Sequence, residues 1–146
     1  KYAASKGVKV FYVTNRTKEE EPATVEAMKG LGFVIDDAGE SFLSAKEQPE
    51  WTSAKGTRRA FIAKTNRILL LVGDNLGDFT DAYKGTLAER QKVFEDASAR
   101  WGHDWIAIPN PTYGSFESAP YKGDFKLPAG EQRRLKLEAL ESWGGP

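Results

Sequence analysis

Two aspartates four positions apart, Asp74 and Asp78, stand in the stretch VGDNLGDF (residues 72–79), directly after the apolar run Ile68, Leu69, Leu70 and Leu71. Carboxylates so placed suit a hard divalent cation. Mg²⁺ takes one or two carboxylates, keeps several waters and completes its shell with substrate phosphate. Gly73 and Gly77 let the backbone turn tightly and come close to a ligand. Two further residue types would extend this chemistry: Thr14, a hydroxyl able to hydrogen-bond a phosphoryl oxygen, and Lys55, a cation at the start of a helical stretch. Hydroxyl, lysine and metal-binding acids together form a phosphoryl-transfer set. Each also has a plainer reading. An aspartate after a strand is commonly a helix N-cap or turn residue. A lone lysine is commonly a solvated charge, and a lone threonine a turn hydroxyl. The signal lies in the combination.

Alternating strands and helices would have to position these groups. Residues 8–13 (VKVFYV) are β-branched and aromatic and predict a strand, followed by a polar loop at 14–16. Glu19, Glu20, Glu21 and Pro22 open a helix, acids suiting its positive end and proline its first turn; it runs to Leu31 and stops at Gly32. Residues 33–35 predict a second short strand, and the polar segment 36–53, which carries Pro49, a loop. Residues 54–64 predict a helix. The clearest strand is 67–73, an unbroken apolar run expected of a central parallel strand covered on both faces. Residues 86–101 form an amphipathic helical pattern with Leu87, Phe94, Ala97 and Trp101 on one face. Residues 105–108 predict a strand, 111–128 an aromatic, turn-rich segment, and 131–142 a final helix. The order is that of an α/β fold with a parallel sheet. Ligands in such sheets bind beyond the carboxyl ends of the strands. Residues 14–16, 74–78 and 109–113 fall there.

The chain has 146 residues, enough for one domain with a core, and its 21 basic and 21 acidic residues balance. That balance gives no bulk attraction to a nucleic acid polymer or a membrane surface and points to a small ligand. The absence of cysteine excludes disulfides, thiolate metal sites and cysteine nucleophiles. No apolar run is long enough to span a bilayer, and no segment reads as a signal peptide. Residues 1–7 (KYAASKG) read as the tail of a helix closing on a glycine, without an initiator Met, so the expectation is a processed or partial chain. His103, between Gly102 and Asp104, reads as a surface loop residue and cannot make a metal site alone. Trp51 and Trp105 read as packing residues, and the stretch from Arg133 to Lys136 as the solvated face of the last helix.

Three stretches in order, FYVTNR (11–16), a lysine within AKGTRRAFI (54–62) and VGDNLGDF (72–79), resemble the haloacid dehalogenase superfamily. The likeness is closer to the class C bacterial acid phosphatases, the outer-membrane lipoprotein 5'-nucleotidases. It continues in MKGLGF (28–33), IPNPTYGSFE (108–117) and QRRLKL (132–137) and so covers nearly the whole chain. The resemblance implies a Rossmann-like parallel sheet, with residues 1–146 as the C-terminal part of one phosphatase domain. It implies a Mg²⁺-dependent phosphomonoesterase working through an aspartyl-phosphate. In that scheme Thr14, with Asn15 beside it, binds the phosphoryl group and Lys55 balances its charge. Asp74 is a direct Mg²⁺ ligand, and Asp78 orients Lys55 or a metal-bound water. Tyr113 matches a tyrosine that can stack on a nucleotide base; packing within its loop is the equal alternative.

One departure is large. The family's first motif, Asp-x-Asp-x-Thr on the central strand, supplies the nucleophile and the general acid-base. No such stretch occurs; residues 35–39 (IDDAG) lack the spacing. The expectation is a nucleophile upstream of residue 1, on a central strand that, with the helical cap, lies outside this sequence. Without that strand a parallel sheet exposes unpaired backbone, and residues 1–146 are not expected to fold stably alone. The alternative is a catalytically inactive phosphate-binding or storage-type relative, or an inactive fragment. A receiver-type phosphorylation domain is disfavoured because Lys55 precedes Asp74. Further expectations from the resemblance are a small phosphomonoester such as a nucleotide as ligand, association with the N-terminal part of the same protein, and a periplasmic or outer-membrane location. The one membrane link would be a lipid anchor upstream of this sequence, and self-association stays open.

Overall fold

The computed structural model describes residues 1–36, 40–142 and 144. The chain forms two compact units, residues 1–66 and residues 67–146.

The first unit opens with helix α1 (Tyr2–Ser5). It closes as expected on Gly7, whose φ of +72° is open to glycine at little cost, with Val8 N–H donating to Ala3 C=O and Gly7 N–H to Ala4 C=O. Strand β1 (Tyr12–Thr17) and strand β2 (Phe42–Ala45) pair in parallel. Between them a turn of 3₁₀ helix (Lys18–Glu20) leads into helix α2 (Glu21–Gly30), the crossover that parallel strands require. A capping box starts this stretch, with Thr17 N–H donating to Glu20 Oε2 at 2.7 Å. Helix α3 (Gly56–Ala63) ends the unit.

Three sequence expectations shift here. β1 begins at Tyr12 rather than residue 8 and carries Thr14, Asn15 and Arg16 within it rather than in a following loop. A strand is bounded by where its partner lies, and pairing starts at Tyr12 opposite Phe42. Residues 33–35 form no strand, because the Tyr12 hydroxyl takes the Val34 carbonyl at 2.9 Å and the Tyr12 ring meets Phe33 edge-on at 6.2 Å. The segment expected to be loop holds β2, all four of whose residues are buried; residues 37–39 lie outside the described residues.

The core of the unit is Leu43, Trp51 and Ile62, with Phe11 and Val13 against it. Trp51 meets Phe61 edge-on at 5.3 Å, the packing role its sequence context suggests. A polar network ties α2 to β2. Ser44 is fully buried and donates to Glu21 Oε2 at 2.6 Å, while Lys18 bridges Glu21 and Glu47 at 2.8 and 2.7 Å. Hydrogen bonds to Glu21 and then Glu47 raise the Lys18 pKa.

In the second unit strand β3 (Leu71–Gly73) pairs in parallel with strand β4 (Trp105–Ala107). Leu71 N–H donates to Asp104 C=O and Ile108 N–H to Gly73 C=O, both at 2.8 Å, closing the ladder at its ends. The unit also holds helices α4 (Leu76–Phe79), α5 (Leu87–Asp96), α6 (Ser115–Ser118) and α7 (Ala129–Glu138), of which α4 packs on β3. Short 3₁₀ turns lie at Asp81–Tyr83 and Ala119–Tyr121. Trp105 and Phe79 are buried with rings 5.4 Å apart, and Trp101 lies 4.9 Å from Phe79 and stacks on Phe94 at 5.1 Å. Trp101 Nε1 also donates to Phe94 C=O, so the chain folds back after α5 instead of continuing helically to residue 101. The apolar run expected to be a doubly covered central strand is only partly one. β3 has three residues and one neighbouring strand, and Val72 is 55% exposed among the described residues. His103 is exposed, as its setting suggests. Among the described residues no helix is long and apolar enough to cross a membrane.

Trp51→Ala removes the largest side chain of the first unit's core. The expected loss is about 3–5 kcal/mol, read from urea unfolding of the full-length protein followed by circular dichroism. A loss below about 1 kcal/mol would show that the cluster is not what holds this unit.

Candidate functional site

The site residues read from the sequence fall on both units. Thr14, Asn15 and Lys55 belong to the first, and Asp74, Asp78 and Tyr113 to the second.

In the first unit the residues are set by a break in strand pairing. Val13 faces Leu43 and Thr17 faces Ala45, so four residue steps on β1 match two on β2. The excess is a bulge at Thr14, Asn15 and Arg16, the device by which a strand frees backbone groups from the ladder and re-aims side chains. Thr14 is half-buried and its Oγ1 accepts from Arg16 N–H at 3.2 Å. Asn15 is exposed, and both ends of its amide are engaged: Nδ2 donates to Ser53 C=O at 3.1 Å and Oδ1 accepts from Arg58 Nη2 at 2.7 Å. Lys55 is the N-cap position of α3 and is half-buried. Arg58, one turn further along, is fully buried. It donates to Thr14 C=O through Nη1 and to Thr52 C=O at 2.8 Å through Nη2. Burial, and then the neighbouring Arg59 charge, hold its pKa below the ordinary arginine range, with Glu47 opposing.

In the second unit the loop after β3 is shaped by its own acid. Asp78 Oδ2 accepts from the Asp74 and Asn75 N–H groups, each at 3.0 Å, and Asn75 Oδ1 accepts from Gly77 N–H at 3.2 Å. This is the capping box of α4: neither aspartate is the N-cap itself, which is Asn75, and Asp78 is its reciprocal N3 partner. A methyl group on Gly73 would lie 2.4 Å from Asp78 Cβ and 2.5 Å from its Oδ2. The glycine thus makes room for the carboxylate that folds the loop. Asp74 is left exposed beyond the strand end.

The loop after β4 meets it. Asn110 Nδ2 donates to Asp74 Oδ2 at 3.0 Å and to Tyr113 C=O at 2.8 Å, while Asn110 Oδ1 accepts from Thr112 N–H at 3.0 Å. Ser115 Oγ donates to Asn75 Oδ1 at 2.5 Å, and Arg90 Nη1 donates to Ser115 Oγ at 3.0 Å. Burial lowers the Arg90 pKa. Tyr113 projects from this loop with 70% of its surface exposed. A cavity of about 330 Å³ opens beside Asp74 and Asn75, walled by Leu87, Phe94 and Trp101.

Asp74 and Asp78 are oxygen donors suited to a hard cation, and the Asp74 carboxylate is exposed with one oxygen oriented by Asn110. Among the described residues no three His, Cys, Asp or Glu side chains cluster as a metal cage. An exposed carboxylate beside an oriented amide is the type of oxygen donor that a hard divalent cation takes when substrate oxygens and waters complete its shell.

Sequence reading placed Asn75 and Asn110 in segments beyond strand ends without giving either a role, and it gave none to Arg58 or Ser115. Asn110 had a signal, an amide between Pro109 and Pro111 directly after a strand. Arg58 had none, since nothing in the sequence separates it from Arg59.

Parallel strand pairs joined through helices, with acids on a loop beyond a strand end, fit an α/β fold of the haloacid dehalogenase type. The comparison with known proteins makes this specific. The family described as HAD superfamily, subfamily IIIB (acid phosphatase), matches residues 1–116, and the chain belongs to it. The class C acid phosphatase from Bacillus anthracis is similar at 32% identity and a TM-score of 0.84 over 97% of this chain. The same Bacillus anthracis enzyme with tungstate bound is similar at 32% identity and a TM-score of 0.85. The chain spans 58% of the length of these relatives.

Gly73→Ala forces the Asp78 side chain off the Asp74 and Asn75 amides. The expected cost is about 1–3 kcal/mol in urea unfolding, as for other overpacked sites. Gly77→Ala, where the nearest atom is Tyr83 Cδ1 at 3.1 Å, is expected to cost less. The reverse order would refute the close-approach account of Gly73.

Proposed function

We propose that the protein is a Mg²⁺-dependent phosphomonoesterase acting on 5'-nucleotides or aryl phosphates through an aspartyl-phosphate, with the attacking aspartate upstream of residue 1. Family membership supports phosphate-ester chemistry, and the relative with bound tungstate adds an oxyanion of phosphate-like shape. The observation that carries the reading is the Asp74 carboxylate, exposed past a strand end and oriented by Asn110.

The residues take these parts. The Thr14 hydroxyl and the bulge at Asn15 bind phosphoryl oxygens. Lys55 lowers the cost of bringing an anionic nucleophile to an anionic ester. Asp74 is a Mg²⁺ ligand. Asp78 shapes the metal-binding loop through the Asp74 and Asn75 amides and orients a neighbour of the metal. Bound Mg²⁺ would supply charge neutralisation on the phosphoryl oxygens. Tyr113 stacks on a nucleotide base, a reading its exposed ring supports. By the same resemblance the protein works in the bacterial periplasm or at the outer membrane.

The test uses the full-length protein with nitrophenyl phosphate and a 5'-nucleotide. Hydrolysis is expected with Mg²⁺ and its loss with a chelator. Asp74→Asn is expected to cut kcat/KM by about 100-fold or more, since a metal contributes several kcal/mol. Undiminished activity in both the chelated enzyme and the variant would end the metal reading. Phosphate binding without hydrolysis would favour the non-catalytic relative.

A further inference from the structure

We propose that Arg58 is a positioning residue for phosphate binding, holding the Thr14–Asn15 bulge and the start of α3 in one fixed geometry. The inference rests on the reading of Thr14 and Lys55 given above and adds what sets them in place.

The bulge creates a need. It takes Thr14 and Asn15 out of the β1–β2 ladder, and the Thr14 carbonyl requires another donor. Arg58 supplies it and, through its other terminal nitrogen, holds the Asn15 side-chain oxygen and the Thr52 carbonyl at 2.7 and 2.8 Å. One rigid fork thus joins three pieces of chain: the bulge of β1, the segment before α3, and α3 itself. Lys55 stands at the N-cap of that helix, three residues before Arg58. The Asn15 amide closes the same circuit by donating to Ser53 C=O.

Two details separate this from an ordinary buried cation. All three acceptors are neutral oxygens. The Nε–H is buried without a hydrogen-bond partner among the described residues. A guanidinium so buried, with the Glu47 charge only partly offsetting its desolvation, is costly, and a purely space-filling position could be taken more cheaply by an apolar side chain. What an apolar side chain cannot do is donate to two strand-bulge oxygens and a third segment at fixed angles. Lysine, a single mobile point donor, cannot either.

The experiment uses full-length enzyme carrying Arg58→Lys or Arg58→Gln. Folding is checked by circular dichroism. The readouts are the inhibition constant of inorganic phosphate and the affinity for Mn²⁺ measured without phosphate. In both variants phosphate is expected to bind weaker by about tenfold or more, the scale of lost charge-assisted hydrogen bonds. Lysine should be no better than glutamine by more than about threefold, because the fork and not the charge is what positions. Mn²⁺ affinity should stay within about twofold, since the expected metal ligands lie on the other unit. Phosphate binding unchanged in a folded variant overturns the proposal. So does a parallel fall in phosphate and Mn²⁺ affinity, or failure of both variants to fold, each of which makes Arg58 a residue of the general fold. If the unsubstituted enzyme neither binds phosphate nor hydrolyses the ester, it is the reading of Thr14 and Lys55 that fails.

Discussion

Backbone groups at the ends of short parallel strands must find partners outside the ladder, and much of this protein follows from how they do. A parallel pair satisfies amides and carbonyls only where register holds. In the first unit register fails after Val13, and the Arg58 guanidinium takes over the Thr14 carbonyl. In the second unit the ladder stops at Gly73, and the Asp78 carboxylate takes over the Asp74 and Asn75 amides. In each case a buried or half-buried charged side chain takes backbone groups that the ladder leaves unpaired. In each case, too, the residues so held are those expected to meet substrate or metal.

The same arrangement sets the shape of the loops that follow the strands. Asn110 spends its amide on Asp74 and on the backbone of its own loop, so the orientation of the acid and the shape of residues 110–113 are one variable. Ser115 and Arg90 extend the chain of bonds to Asn75. The aromatic cluster of Phe79, Trp101 and Trp105 sits beneath the loop as its packed support, since Phe79 closes α4. The polar ties give the loop direction, and the ring contacts give it a floor.

How much was legible beforehand depended on whether a feature is local. The place of Asp74 and Asp78 just past a strand end could be read because acids after an apolar run and beside glycines form a local pattern. Helices α2 and α5 could be read from Pro22, the acidic first turn and the apolar spacing. Trp51 could be read as core from its size and setting. β2 could not: Phe42–Ala45 lies in polar surroundings, and its identity as a strand comes from Tyr12 and Val13 opposite. The same holds in reverse for residues 33–35, whose apolar run suggests a strand until the Tyr12 hydroxyl claims the Val34 carbonyl.

The amino-acid sequence by itself determined the alternation of elements, the α/β class, the absence of any cysteine chemistry and the residue types available for a phosphate site. Propensity, period and spacing act over neighbouring residues and survive without a folded context. The tertiary structure alone decided that Thr14 and Asn15 occupy a bulge inside a strand rather than a loop after it, and that Arg58 rather than Arg59 is buried beneath the bulge. Those outcomes depend on which backbone groups are left without partners after long-range pairing, and no stretch of sequence specifies that count in isolation.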